Sequence, residues 1–156
     1  MRCAFALLAV LLSPQALGAS NGRPVDIPER AKGSETVIVG TVVDVHSSYR
    51  SNKFGDLLIV SRAVVLVEET MKGRAVTALE VDVEGGTVGD LTLRVSDMPT
   101  LASGERAAFF LKSGEKGAHQ PHLRGLGILK LDANERVLGS SLTLPEIRRM
   151  VRGSQP

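Results

Sequence analysis

Between Thr36 and Leu138 the chain is a succession of short β-branched and apolar runs, each closed by a polar or glycine-containing segment. That spacing favours strands over long helices. Thr36 to His46 (Thr-Val-Ile-Val-Gly-Thr-Val-Val-Asp-Val-His) turns polar on one parity only towards its end, as a central strand does when it starts with both faces buried. Ser47 to Asp56 reads as a polar loop, and Leu57 to Glu69 as a long strand interrupted at Ser61-Arg62, where a bulge is expected. Val76 to Glu84 alternates, with Leu79, Val81 and Val83 on one face and Glu80, Asp82 and Glu84 on the other. Gly85-Gly86 and Gly89-Asp90 mark a turn before a half-exposed strand through Leu91, Leu93 and Val95. Further strands are expected over Glu105 to Lys112, Leu123 to Leu131 and Arg136 to Leu138.

The period changes at the C-terminus. Thr143 and Glu146 have the spacing of a capping box, with Leu142 and Ile147 placed as its hydrophobic staple. A helix over 144–152 follows, with Ile147, Met150 and Val151 facing inward. Several strands, few aromatics and frequent glycines make the fold mainly β: a small OB-like antiparallel β-barrel with a short C-terminal helix, since a flat sheet leaves two edges exposed. A two-sheet β-sandwich is the alternative.

The first residues carry one cation, Arg2, then the apolar run Ala4 to Leu12, then Ser13-Pro14 and the small residues up to Ala19. This is the order of a secretory signal, with cleavage expected after Ala19 or, alternatively, Gly18. The apolar run is about half the roughly 18 residues a membrane-spanning helix needs, so no membrane anchor is expected once the leader is gone. Cys3 is the only cysteine and lies in this leader, so the exported chain must be held by its core alone. Residues 20–34, with Pro24, Pro28, Gly22 and Gly33, read as a flexible lead-in, and 35–156 as one domain. The chain has 19 basic against 17 acidic residues, and the leader removes one of the cations. Near-neutrality and the lack of a basic tract argue against nucleic acid as partner.

The strand Val37 to Val42, the segment Val65-Leu66-Val67-Glu68-Glu69-Thr70-Met71-Lys72-Gly73, the turn Gly85 to Gly89 and the stretch Met98 to Arg106 resemble a pattern of uncharacterised exported bacterial OB-like β-barrel proteins. More distantly, a strand ending in Lys72-Gly73 and a later Gly104-Glu105-Arg106 before an apolar strand is similar to netrin-like and metalloproteinase-inhibitor barrels. The resemblance implies an OB-type barrel and a binding or inhibitory module. Those inhibitors use an N-terminal cysteine and disulfides, so none of their functional residues is carried over.

Candidate sites are few. Tyr49, Arg50 and Phe54 put exposed aromatics beside a guanidinium in one loop, a combination typical of binding anchors. Glu80, Asp82 and Glu84 offer oxygen ligands, but alternate strand residues stand about 7 Å apart, too far to grip one ion unaided. A solvated face paired to Arg94 is the expected role of that row. His119 and His122 have a loop spacing open to a transition metal, yet without thiols or a helical histidine pair both, like His46, read as surface residues. Ser47-Ser48 beside His46 would also need an orienting acid and an oxyanion hole, and adjacent residues on an extended chain point to opposite faces. No catalytic residue, metal or cofactor is therefore assigned. The expected function is a periplasmic or secreted, non-enzymatic module that binds another exported protein. A small exported enzyme and a self-associating envelope component are the alternatives, and the oligomeric state is open.

Overall fold

A computed structural model describes residues 26–52 and 54–155. The expected leader, its expected cleavage point and residues 20–25 lie outside them. The fold is mainly β, an OB-like barrel with a C-terminal helix. The strands are β1 (Thr36–Ser51), β2 (Leu57–Lys72), β3 (Ala78–Glu84), β4 (Gly86–Val88), β5 (Leu91–Leu93), β6 (Arg106–Ser113), β7 (His119–Pro121) and β8 (Ile128–Leu131). Two helices flank them, α1 (Ile27–Gly33) and α2 (Leu144–Gly153). β1, β2, β3, β7 and β6 close a ring, because β6 pairs back onto β1. β8 lies on the β7 side of β6, and β4 and β5 form a separate hairpin. The ring departs from the expected purely antiparallel barrel at one joint: β3 and β7 are parallel and share a single residue pair, Val81 with His119.

The first half of β1 is buried on both faces, and each face belongs to a different core. Ile38 and Val42 point into the ring with Val65, Val81, Phe109 and Leu111. Val37 and Val39 point outward beneath the helices, with Ile27, Phe110, Leu144 and Ile147. Burying each large aliphatic side chain contributes about 1.5–3 kcal/mol, so the two layers together secure a cysteine-free domain.

α1 corrects the expectation of a loose lead-in for its C-terminal part. Asp26 caps the helix by accepting from the Glu29 amide at 3.0 Å, and Pro28 sits in the first turn, where a missing N–H costs nothing. Ile27 and Ala31, one turn apart, are fully buried in the outer core. At the other end Lys72, closing β2, donates from Nζ to the carbonyls of Ala31 (2.7 Å) and Ser34 (2.6 Å). A cation there satisfies orphan carbonyls and opposes the helix dipole.

Three other expectations are corrected. β1 runs on to Ser51, because full pairing with β2 recruits Ser47 to Ser51 into the ladder and leaves only 52–56 as the turn. In that turn the Asn52 carboxamide oxygen accepts from the amides of Phe54 and Asp56. Ser61 and Arg62 lie in unbroken register with Ser47 and His46; the irregularities fall at Val43, Glu68 and Met71, which have no partner across the ladder. Gly40 lies beside one of them, where a Cβ would come within 2.4 Å of the Leu66 carbonyl oxygen. Finally, Leu123 to Gly127 is not strand. Leu123 and Arg124 adopt left-handed conformations (φ 59° and 57°) and Arg124–Gly127 is a 3-10 turn.

α2 begins as its sequence requires. The Glu146 carboxylate accepts from the Thr143 amide (2.8 Å) and hydroxyl (2.7 Å), while Leu142 and Ile147 join the same core. Among the described residues no helix is long and apolar enough to cross a membrane.

Candidate functional site

A cleft of about 540 Å³ lies where β3 and β7 part. The backbone explains the parting. The His122 amide donates to the Phe110 carbonyl and the Gly114 amide to the Ala118 carbonyl, so positions 118, 120 and 122 turn their polar groups towards β6. Positions 119 and 121 therefore face β3. His119 completes its pair with Val81, but the next pair would need an amide proton from residue 121, which is proline. The ladder stops there, and the cleft opens between Val83–Glu84 and Gln120–Pro121.

The floor of the cleft is a charge network carried by three strands. Asp82 is only 6% exposed and meets Arg62, directly opposite on β2, through two hydrogen bonds of 2.8 and 2.9 Å. Arg50 of β1 donates to the same carboxylate. Burial by itself raises the Asp82 carboxyl, but the hydrogen bonds from Arg62 and Arg50 outweigh it and hold the group below the usual aspartate value. Arg62 also pairs with Glu80 at 2.9 Å. Glu84 pairs with Arg124 at 2.8 Å, and Arg124 reaches on to Asp97. The hydrogen bonds to Asp97 and Glu84 hold the Arg124 guanidinium above the usual arginine value. Apolar walls come from Leu58, Val60, Val83 and Met98, and Phe54 stands at the rim, 78% exposed.

Arg50 and Phe54 thus share the cleft, whereas Tyr49 does not line it. Tyr49 pairs with Ile59 on the opposite face of the β1–β2 ribbon and is 45% exposed. Glu80 and Glu84 of the carboxylate row are exposed, as its alternation suggests, but the row does not pair with Arg94. Arg62, Arg50 and Arg124 neutralise it, and Asp82 is buried. Among the described residues no three His, Cys, Asp or Glu side chains converge as metal ligands.

The histidines are dispersed. His46 pairs with Arg62 across β1 and β2. His122 packs its imidazole on Gly33 at the end of α1. His119 lies in β7 with a buried Nδ1 that has no hydrogen-bond partner. Ser47 points away from His46, its hydroxyl 2.8 Å from that of Ser61, which donates in turn to the Gly85 carbonyl at 2.6 Å. Gly86, at φ 133°, lies so close that a Cβ would meet both hydroxyl oxygens, within 2.2 and 2.4 Å. The serine pair anchors the β4–β5 hairpin.

Sequence reading missed Met98, Gln120, Pro121 and Arg124 as cleft residues. They come from separated connections, and only the ring brings them to β3. The one local signal was Pro121 within a short run between stronger strands, the mark of an edge. No protein-family model matches the chain, and no curated protein matches it.

Proposed function

We propose that this protein is an exported, non-enzymatic binding module whose seam cleft receives part of another exported protein. The observation that carries this reading is the juxtaposition of Phe54, 78% exposed at the tip of the β1–β2 hairpin, with a cleft that has apolar walls and a floor formed by the Arg50–Asp82–Arg62 network. An exposed aromatic beside an ordered guanidinium makes a strong anchor for association, because little freedom remains to be lost on binding. The location is also the one barrels of this kind use, the face of the second and third strands between the loop joining strands one and two and a later loop. The leader pattern of Met1 to Ala19 supports export, and hence a periplasmic or secreted partner.

A photo-crosslinking amino acid at position 54, in the protein expressed with its leader, tests the reading. Irradiation is expected to yield one discrete adduct with a second exported protein, lost when Arg50→Ala and Leu58→Ser are added to a chain that remains folded. An adduct only with a second copy of the chain would establish self-association instead. No adduct at all would remove the proposal.

A further inference from the structure

The ring opening also constrains what enters it. With proline at 121, β7 has no amide proton to offer the carbonyl of Asp82, and β3 ends at Glu84, which lines the cleft. A backbone acceptor at a strand end, flanked by apolar walls, matches the main chain of an extended peptide, whose amide supplies the missing proton. The charge of the lining points the same way. Arg50 and Arg124 are already held by carboxylates, whereas Glu115, exposed on the β6–β7 connection, makes no ion pair among the described residues. Lining carboxylates thus outnumber lining guanidiniums, which suits a basic side chain on the occupant.

Resting on the binding-module reading, we propose that the cleft takes an extended peptide segment of its partner, which pairs its backbone with the β3 edge at Asp82–Glu84 and sets a lysine or arginine against Glu115. The pairing is short, one or two backbone hydrogen bonds, with Phe54, Leu58 and Met98 covering the apolar residues of the segment. Pro121 then acts as a specificity device: it keeps a place in the ladder open that any other residue would close from within.

The probe is a random dodecapeptide library displayed on phage, selected against residues 20–156 and followed by fluorescence anisotropy of the enriched peptides. Enriched sequences are expected to place Lys or Arg beside alternating apolar residues. N-methylation of one or two peptide amides is expected to weaken binding by about tenfold or more each, with the remaining amides tolerant. Glu115→Arg is expected to weaken binding by about tenfold without changing the thermal midpoint. Pro121→Ala, which restores the amide facing β3, is expected to weaken binding at least as much while the thermal midpoint holds or rises. Tolerance of N-methylation at every position, or indifference to both substitutions, overturns strand pairing. If Phe54 crosslinks a partner but no selected peptide competes for it, the peptide proposal fails and the module reading stands; if neither result is obtained, both fail.

Discussion

Arg62 on β2 and Asp82 on β3 stand directly opposite one another and share a two-point contact, Nε to Oδ1 at 2.8 Å and Nη2 to Oδ2 at 2.9 Å. Because Arg50 of β1 reaches the same carboxylate, one nearly buried aspartate joins three consecutive strands beneath the cleft. Asp82→Asn keeps the shape and removes the charge, leaving two arginines close together without it. Urea denaturation is expected to show a loss of about 1.5–3 kcal/mol, the range for hydrogen bonds to charged groups. Glu80→Gln, at a far more exposed pair with Arg62, is expected to cost less than about 1 kcal/mol. Equal effects would mean the network does not depend on the buried carboxylate.

The same aspartate shapes the acid limb of stability. Its folded value is depressed, so its contribution is fully present above the unfolded aspartate value of about 3.9 and is lost as pH falls through the lower folded value. Unfolding free energy is expected to drop on acidification below about pH 4. The drop should be shallower in Asp82→Asn. Coincident slopes for the two proteins over that range would contradict the assignment.

Gly33 and His122 form a second close relationship, since a Cβ on Gly33 would lie 2.3 Å from His122 Nε2. Gly33→Ala is expected to destabilise by about 1–3 kcal/mol through overpacking, although alanine is the better helix former. In a His122→Ala background the sign should reverse, with Gly33→Ala stabilising by about 0.5–1 kcal/mol. A double-mutant cycle by chemical denaturation measures this, and additive effects would refute the contact.

His122 is depressed chiefly by burial, then by Lys112 of β6 and Arg30 of α1; Glu29 of α1 opposes this and Lys72 of β2 adds to it. A base with a lowered folded value is destabilising when protonated. Its stability contribution is complete above about pH 6.5 and falls as pH drops from there towards the folded value. The thermal midpoint is expected to decline between about pH 7.5 and 5.5, with a smaller decline in His122→Gln.

Ile27 tests the status of α1. It is fully buried against the outer core, so Ile27→Ala is expected to cost about 2–5 kcal/mol, the range for emptying a core site. Glu29→Ala, on the exposed side of the same helix, should stay within about 0.5 kcal/mol. A flexible lead-in would show no difference between the two, as read by thermal denaturation or limited proteolysis.

The parts of this fold legible in the sequence are those set by local pattern. Thr143 and Glu146 cap α2 because four residues suffice to make that arrangement, and Leu79, Val81 and Val83 turn inward because alternation is intrinsic to a strand. α1 was obscured by Pro28 and Gly33, which resemble breakers until Asp26 is seen as the cap and a core is present to cover Ile27 and Ala31. Ser47 to Ser51 have little strand preference of their own, and pairing with β2 overrides it.

For the site, Arg50 and Phe54 were visible as chemistry but not as neighbours of Arg124 and Met98. Tyr49, one residue from Arg50, was separated from the cleft by strand geometry alone. Asp82 shows the difference most clearly. The sequence by itself determined that its side chain would point away from Val81 and Val83, since period-two alternation follows from backbone stereochemistry. Only the tertiary structure decided that on this outward face Asp82 would be nearly buried in a three-strand ion network at the edge of a cleft, while Glu80 and Glu84 stay exposed. That outcome depends on which residues ring closure brings alongside β3 from β1, β2 and the Pro121 seam, and such long-range pairing leaves no trace in any local window.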